Sequence, residues 1–305
     1  MAGKVILIVG PTCSGKTKLS LKLAEVLNTE IISADSRQIY KYLNIGTAKP
    51  SDEELKTIKH HFIDYLEPDI DYNVSRYEKE SLQIISELII NNKVPVVAGG
   101  SGLYIKAIAD GIFDTADTDE DYRAYLKDMK DRYGNEYIYG MLEKIDPLSA
   151  RTMLPQNWKR VIRALEVYHL TGKSIVELQK EYIRKTDFEF LLFGLLWDRK
   201  RLYENIETRV DDMIERGLIS EVENILSMGF NEKLNSLNTV GYKEIINYLK
   251  GNLTLEEAIG LIKRNTRRYA KRQMTWFRKD ERIEWLNVEK NEDIDRHINY
   301  ILSKI

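Results

Sequence analysis

The sequence predicts an α/β fold with a mainly parallel sheet flanked by helices and interrupted by an all-helical insertion. Short apolar runs alternate with amphipathic helical patterns over the first ~110 residues, which is typical of a parallel sheet. Only helical patterns follow from Tyr122 to about Lys185, and a strand-like run returns at Phe188–Trp197. We therefore assign residues 1–113 and 188–305 to one α/β core and residues 114–187 to a helical insertion domain.

The elements follow from apolar spacing and from the residues that end each run. Strands are predicted at Val5–Val9, Glu30–Ala34, Val94–Ala98, Phe188–Trp197 and Arg282–Leu286. Helices are predicted at Lys16–Leu27 and Asn73–Asn91, from Gly102, in the insertion at Tyr122–Tyr133, Glu136–Ile145, Pro147–Met153, Trp158–Leu170 and Ile175–Tyr182, then at Arg199–Arg216, Ile219–Met228, Tyr242–Lys250 and Leu255–Phe277, with one more closing the chain. The segment Asp114–Asp121 holds five acidic residues and no apolar cluster, which indicates a solvated boundary.

Composition excludes several classes of protein. The chain has 305 residues, of which 43% are hydrophobic, enough for a sizeable core. One cysteine, Cys13, and four histidines without a close Cys/His cluster exclude an internal disulfide and a multi-cysteine metal site. No stretch has the length of a membrane span, and the N-terminal apolar run enters a glycine loop instead of a cleavage site. We therefore expect a cytoplasmic protein with no membrane partner. We also expect it to act as a monomer.

A phosphate-binding loop follows the first strand. Gly10, Pro11, Thr12, Cys13, Ser14, Gly15, Lys16 and Thr17 match G-x-x-x-x-G-K-[ST] between a strand and a helix. Glycines let backbone N–H groups turn toward an anion, the helix N-terminus adds its dipole, and Lys16 adds a charge. The Thr17 hydroxyl is placed to bind Mg²⁺, the expected cofactor. The core is thus predicted to be P-loop NTPase-like, with the motif of nucleotide-binding and ATP-binding proteins.

The loop alone leaves three chemistries open: NTP hydrolysis, phosphoryl transfer to a small molecule, and a reaction in which pyrophosphate leaves. A motor-type ATPase carries an apolar strand that ends in a metal-binding aspartate. The strand Pro95–Ala98 ends instead in Gly99-Gly100-Ser101-Gly102. This difference disfavours an NTP-hydrolysing engine, although kinases also vary at this position.

Two polar segments follow other predicted strands, and such groups face the ligand crevice of a parallel sheet. Asp35 can act there as a general base, or it can cap the next turn. Gln38 suits an adenine edge, with a solvated surface amide as the alternative. Ser101 can donate to a phosphate or to a developing charge, or it can cap the following helix.

Six blocks now stand in a specific order along the chain: GPTCSGKT (10–17), ADSRQIYKYLNIGTAKP (34–50), VAGGSGLYIKAI (97–108), WKRVIRALEVYHLTGKS (158–174), VGYKEI (240–245) and AKRQMTWFRK (270–279). Over essentially its whole length, the sequence resembles the bacterial tRNA dimethylallyltransferase (tRNA isopentenyltransferase) family. The second block is especially diagnostic, because ordinary P-loop kinases lack it. The resemblance implies transfer of a dimethylallyl group from dimethylallyl diphosphate to N6 of adenosine 37 in tRNA, next to the anticodon, with release of diphosphate.

The resemblance also implies roles for individual residues. Asp35 takes the N6 proton, and Ser101 replaces the family's usual threonine while keeping its hydroxyl. The loop Gly10–Thr17 and Arg209 hold the diphosphate. Contacts with the tRNA anticodon stem-loop are implied for Asp35, Ser36, Arg37, Gln38, Ser101, Arg123, Lys159, Arg160, Val161, Ile162 and Arg163.

A basic segment near the C-terminus supports an RNA partner. Lys263 to Lys279 contains eight Lys or Arg residues and no Asp or Glu, with Tyr269, Trp276 and Phe277 interleaved. Such a stripe suits a phosphate backbone, and a solvated helix face is the alternative. Two other functions stay open on the residues: a small-molecule P-loop kinase, and a non-catalytic RNA-binding protein that retains the loop.

Overall fold

The core strands all run parallel and place β1 inside the sheet. The computed structural model describes residues 3–113, 118–182, 184, 186–290 and 293–305. Its sheet contains Gly3–Val9 (β1), Ile31–Ser33 (β2), His60–His61 (β3), Val96–Gly99 (β4), Phe188–Trp197 (β5) and Glu284–Val288 (β6) in the order β3-β2-β4-β1-β5-β6. The strands β2, β3 and β4, which come first in the chain, lie on one side of β1, and the later strands β5 and β6 lie on the other side. A crevice therefore opens at the carboxyl ends of the strands beside β1.

The helices fall into three consecutive sets. Before the insertion they are Lys16–Val26 (α1), Asp52–Thr57 (α2), Val74–Ile90 (α3) and Gly102–Asp110 (α4). The next set is Glu120–Tyr133 (α5), Asn135–Ile145 (α6), Pro147–Ala150 (α7), Trp158–Thr171 (α8) and Ile175–Glu181 (α9), with a 3₁₀ turn at Pro155–Asn157. The last set is Arg199–Glu215 (α10), Leu218–Ser227 (α11), Tyr242–Leu249 (α12), Leu255–Phe277 (α13) and Asp293–Leu302 (α14).

The two faces of the sheet are buried by different helices. Side chains alternate along a strand, so Val5, Leu7 and Val9 of β1 enter one core while Ile6 and Ile8 enter another. The first core includes residues of α3, α4, α11, α12 and α13. The second includes residues of α1 and α14. Burial on both faces explains why β1 is an almost continuous apolar run.

The chain divides into two compact units, Met1–Ala109 with Thr186–Ile305, and Asp110–Lys185. The sequence placed these boundaries at 113/114 and 187/188. The second unit is helical, and its core is formed by apolar residues of α5, α6 and α8, including Leu126, Ile138, Leu142, Val161 and Leu165. The predicted boundary segment Asp114–Asp121 lies partly outside the described residues, because positions 114–117 are not among them.

The predicted α/β class with a parallel sheet is confirmed, and β5 and α13 have the predicted bounds. The last strand, predicted at Arg282–Leu286, begins two residues later. Two elements were missed, α2 and β3. Helix α2 buries no side chain, so it lacks the apolar stripe used for prediction. Strand β3 is only two residues long. No helix in the described part of the chain is both long and apolar enough to cross a membrane.

Candidate active site

The phosphate loop, residues 10–17, runs from the carboxyl end of β1 into the first turn of α1. Gly10, Cys13 and Gly15 have φ angles of 144°, 64° and 89°, so the backbone turns sharply at these positions. A loop curled in this way before a helix N-terminus directs N–H groups and a positive dipole end toward an anion. The loop therefore has the backbone form of an anion cradle.

The Ser14 hydroxyl is buried in the loop. Ser14 is 1% exposed, and no described residue hydrogen-bonds to its Oγ. An unsatisfied buried hydroxyl costs about 1–3 kcal/mol, and a phosphate oxygen would supply the acceptor. The Ser14 carbonyl accepts a hydrogen bond from Trp197 Nε1 at 2.9 Å. The end of β5 therefore anchors the loop on one side.

Two cations converge on the loop. Lys16 Nζ donates to the Pro11 carbonyl at 2.6 Å, and Arg209 Nη1 on α10 lies 3.5 Å from Thr12 Oγ1. Burial, followed by the positive charge of Arg209, lowers the pKa of Lys16 from 10.5 to about 8, against the opposite effect of Asp35. The like charges of Lys16 and Arg209 thus oppose each other until an anion is present.

Asp35 follows β2 and caps the next turn, one of the two roles that its sequence position left open. Its Oδ1 accepts hydrogen bonds from Arg37 N–H at 2.8 Å and Gln38 N–H at 3.4 Å, so it caps the turn. The residue also lines the same cavity as Lys16 and Arg209. Both capping bonds go to one oxygen, and Oδ2 takes part in neither. The carboxylate is therefore oriented by its own turn within the cavity wall.

Ser101 holds the backbone on both sides of Asp35. Its N–H donates to the Ala34 carbonyl at 3.1 Å, and its Oγ accepts from Ser36 N–H at 3.0 Å. Ser101 does not line the cavity, in contrast to the implied substrate contact. A contact of its hydroxyl with substrate therefore stays a prediction, while the structure gives it a positioning role.

The side-chain amide of Gln38 is hydrogen-bonded to other residues of the protein. Its Nε2 donates to the carbonyls of Thr47 and Ala48, both at 3.1 Å, and Ser33 Oγ donates to its Oε1 at 3.4 Å. The solvated-amide alternative is therefore wrong. The adenine-edge role would require the Gln38 amide to give up these backbone partners. In this structure Gln38 fixes the cavity wall formed by residues 46–48.

Two positioning side chains, Gln273 and Glu221, were missed by sequence reasoning. Gln273 on α13 is buried; its Oε1 accepts from Thr12 N–H at 2.8 Å and its Nε2 donates to the Gly100 carbonyl at 2.9 Å. Glu221 on α11 accepts from the N–H groups of residues 44–46 at 2.7–3.1 Å and from Tyr242 Oη at 2.6 Å. Both lie in helices whose apolar pattern gave no signal for a polar role. The only signal for Gln273 was its place in the block AKRQMTWFRK.

The groups from these elements line one cavity of about 610 Å³. Its wall includes Thr12–Thr17, Asp35–Gln38, residues 46–48, Arg209 and Gln273, with Tyr269 and Arg272 of α13. Gly10 and Pro11 do not line it; Gly10 shapes the turn, and Pro11 holds Lys16. The described residues contain no cluster of three or more His, Cys, Asp or Glu side chains suited to a metal. Among the predicted ligands, Thr17 does line the cavity.

Cys13 packs against the protein. It is 8% exposed and belongs to a small apolar cluster with Leu202, Ile206 and Ala270. Its backbone serves the cradle through the positive φ angle, while its side chain attaches the loop to α10 and α13. Apolar packing thus reinforces the polar anchor at Ser14.

Within the helical unit, some of the residues implied to contact tRNA are exposed and others are buried. Lys159 and Arg160 are exposed at the start of α8, and Lys159 Nζ lies 5.5 Å from the Trp158 ring centroid. Val161 and Ile162 are 0% and 5% exposed, in the core of the unit. The assignment of these two side chains to tRNA binding is wrong, because successive helix residues point to different sides and these two face inward.

Arg123 and Arg163 share one buried anion. Glu166 is 0% exposed, and its two oxygens lie 2.6 Å from Arg123 Nε and 2.7 Å from Arg163 Nη1. A buried carboxylate requires such partners, and removing one leaves uncompensated charge. Both arginines therefore stabilise the helical unit, whatever else they contact.

The basic segment of α13 keeps an exposed stripe. Lys263 and Arg267 form ion pairs with Asp211 and Glu207 of α10, at 2.7 and 2.6 Å. Four cations of the segment fall along one helix face at spacings of three and four, and all are exposed: Arg264, Arg268, Lys271 and Arg272. Because Arg272 also lines the cavity, the stripe extends to the cavity's edge.

A parallel sheet with a loop of the form seen at residues 10–17 after β1 defines a P-loop α/β protein. The model of the family described as "IPP transferase" matches residues 38–280. The chain belongs to this IPP transferase family, and the resemblance seen in the sequence is confirmed.

Relatives match the chain nearly end to end. A tRNA dimethylallyltransferase of Acetivibrio thermocellus is 45% identical over 304 residues, covering 98% of this chain and 97% of the relative. The crystal structure of a tRNA isopentenylpyrophosphate transferase from Bacillus halodurans is 39% identical, with a TM-score of 0.73, covering 100% and 97%. A eukaryotic dimethylallyltransferase acting on tRNA is 30% identical, with a TM-score of 0.84, covering 99% and 80%.

Binding of an alkyl diphosphate should take up a proton above about pH 8. Unliganded Lys16 has a pKa of about 8, and an adjacent anion raises it by favouring the charged form. Affinity for methyl diphosphate should therefore fall as pH rises from 7.5 to 9.5, by at most about tenfold per pH unit. Calorimetry at pH 8.5 in two buffers of different ionisation enthalpy measures the uptake. Lys16→Arg, which stays charged, is the control, and equal uptake in that variant would contradict the assignment.

Proposed function

We propose that the chain transfers a dimethylallyl group from dimethylallyl diphosphate to N6 of adenosine 37 in tRNA, next to the anticodon, and releases diphosphate. The observation that carries this proposal is the shared cavity. An anion cradle with two cations and the Asp35 carboxylate line the same space, in a member of the IPP transferase family. Relatives of nearly equal length are tRNA dimethylallyltransferases, which supports the choice of group and acceptor.

The cradle acts on the leaving group. As the allylic C–O bond breaks, its electron pair stays with the diphosphate, and negative charge grows on the oxygens held by the loop. Lys16, Arg209 and the Ser14 hydroxyl are in place before the reaction to stabilise that charge. Since an allylic carbon tolerates positive charge, a weak nucleophile is sufficient.

Asp35 acts on the nucleophile. The exocyclic N6 amine of adenine forms the new C–N bond and must lose one proton, which Asp35 accepts. A positioned base of this kind contributes about 10²–10⁴-fold. Ser101 and the capping bonds to Oδ1 hold the carboxylate in one orientation, so that little reorganisation is needed during transfer.

The residues present fit Mg²⁺ as the cofactor. Mg²⁺ is bound through few protein groups together with substrate phosphates and retained waters, so the cavity-lining Thr17 hydroxyl and the diphosphate oxygens suffice. When bound, Mg²⁺ supplies further positive charge to the departing diphosphate. The protein ligand we assign is Thr17.

We assign tRNA as the macromolecular partner, contacted through its anticodon stem-loop. The exposed stripe of α13 suits the phosphate backbone, and Lys159 and Arg160 offer a second cationic site on the helical unit. The target adenine must leave the base stack to reach the cavity. We expect the protein to act as a cytoplasmic monomer.

Incubation with labelled dimethylallyl diphosphate, Mg²⁺ and unmodified tRNA tests the function. We expect label in N6-dimethylallyladenosine after nuclease digestion and chromatography, with release of one diphosphate per modified nucleoside. ATP-dependent phosphorylation of a metabolite without prenylation would favour a kinase. Salt-sensitive tRNA binding without any turnover would favour a non-catalytic RNA-binding protein.

Asp35→Asn should remove the base while keeping the turn. The amide oxygen can still accept the Arg37 and Gln38 N–H groups, so the local backbone is retained. We expect kcat to fall by about 10²–10⁴-fold, with tRNA affinity changed less than about threefold. Single-turnover prenylation and a filter-binding assay measure the two quantities. Near-normal turnover would show that another group takes the proton.

The Lys159→Ala/Arg160→Ala double variant should weaken tRNA binding without affecting diphosphate affinity. Each lost phosphate contact lowers the slope of log K against log salt concentration by about 1. Lys127→Ala/Lys144→Ala removes two exposed charges of the same helical unit and serves as the matched control. Equal weakening in both variants would contradict a local contact. Arg163 is unsuitable for this test, because its loss leaves Glu166 poorly compensated.

A further inference from the structure

We infer that Gln273 is a positioning residue that sets the spacing between the diphosphate cradle and the Asp35 side of the site. The inference rests on the proposed function and adds a residue to it. Gln273 is 6% exposed, and both polar atoms of its amide are used at once. One end binds the cradle and the other binds the corner after β4.

The first contact fixes the cradle. Thr12 N–H donates to Gln273 Oε1 at 2.8 Å, and Arg209 reaches the side chain of the same Thr12. Thr12 therefore lies where the amide of α13 and the guanidinium of α10 meet. A shift of Gln273 would move the backbone next to a diphosphate-binding cation.

The second contact leads to the base. Gln273 Nε2 donates to the Gly100 carbonyl at 2.9 Å, and the next residue is Ser101. Ser101 in turn holds the Ala34 carbonyl and the Ser36 N–H, the peptide groups on either side of Asp35. A continuous chain of short contacts thus joins the leaving-group side of the cavity to its base.

The shape of the corner matches the amide. A Cβ on Gly100 would lie 2.2 Å from Gln273 Nε2, while the nearest atom outside Gln273, the Gly10 carbonyl oxygen, would be 3.6 Å away. The amide is thus the main obstacle to a side chain at position 100. An apolar side chain of similar size would fill the space of Gln273 but would bind neither Thr12 N–H nor the Gly100 carbonyl. Only a group that accepts on one side and donates on the other satisfies both.

Gln273→Glu separates the two contacts. The carboxylate still accepts from Thr12 N–H but cannot donate to the Gly100 carbonyl. At pH 8 we expect kcat for prenyl transfer to fall about 10- to 100-fold, since small misplacements of reacting groups have effects of this size. The KM for dimethylallyl diphosphate should rise, because the added carboxylate repels the diphosphate, whereas the Kd for the anticodon stem-loop should change less than about threefold. A general loss of structure would instead change all three.

The pH dependence of the same variant gives a second readout. Burial raises the pKa of a carboxyl group, and the protonated acid donates and accepts like the amide. The ratio of the wild-type kcat to the Gln273→Glu kcat should therefore decrease toward 1 as pH falls from 8 to 6. Gln273→Met, which has neither group, should show a ratio independent of pH. Taking the ratio at each pH cancels the titration of groups common to both enzymes.

The Gly100→Ala variant disturbs the contact between Gln273 Nε2 and residue 100 from the side of residue 100. Its Cβ should displace the amide and lower kcat as Gln273→Ala does. The Gly100→Ala/Gln273→Ala double variant should then be no slower than Gln273→Ala alone, because the displaced group is already gone. Additive losses in this cycle, a pH-independent Gln273→Glu ratio, or unchanged kcat in Gln273→Glu would each overturn the inference. A wild-type protein that transfers no prenyl group would instead overturn the proposed function.

Discussion

The close approach of β4 to the end of β2 is the constraint on which the site depends. A Cβ on Gly99 would lie 2.1 Å from the Ala34 carbonyl oxygen, and Ala34 N–H donates to the Ala98 carbonyl at 2.8 Å. With no side chain at 99, the two strands reach the same edge together, and the segments after them can exchange hydrogen bonds. Because β4 also pairs with β1, the phosphate loop opens at that edge too. Parallel pairing thus brings three distant segments into one site.

The helices after the insertion hold this edge in place from outside the sheet. Glu221 gathers the N–H groups of residues 44–46, and Gln38 then takes the carbonyls of residues 47 and 48. Successive N–H groups around a carboxylate form an anion-binding concavity within the protein. Burial raises the pKa of Tyr242 and the charge of Glu221 adds to the effect, so that this hydroxyl remains a donor. The start of the cavity wall, at residues 44–46, therefore depends on a side chain contributed 175–177 positions later in the chain.

The sequence predicted what local patterns determine. Apolar runs and glycines located β5, α13 and the phosphate loop, since each is specified by its own residues. The positioning roles of Gln273 and Glu221 were not predicted, because their partners are distant in sequence. An isolated polar residue in a helix gives no indication of what it binds. Val161 and Ile162 were misassigned because a motif was treated as contiguous, although the helical period of α8 already separates them from Lys159 and Arg160. Arg123 and Arg163 show the same limit: a cation in a motif does not reveal that Glu166 is buried between them.

The positive charges of Lys16 and Arg209 repel each other as long as no anion is bound between them. Burial disfavours the charged form of Lys16, and the repulsion from Arg209 disfavours it further. Together they lower the pKa of Lys16 to about 8. Asp35 offsets only part of the repulsion. Under the proposed function, a diphosphate relieves the repulsion between both cations, and it does so more strongly as the allylic bond breaks, because the leaving group then carries more negative charge. Interactions that strengthen toward the transition state lower the barrier, whereas equal binding of substrate and transition state does not. Under the proposed function, relief of the repulsion between Lys16 and Arg209 therefore favours bond cleavage, provided that the spacing between cradle and base is held constant while the charge shifts.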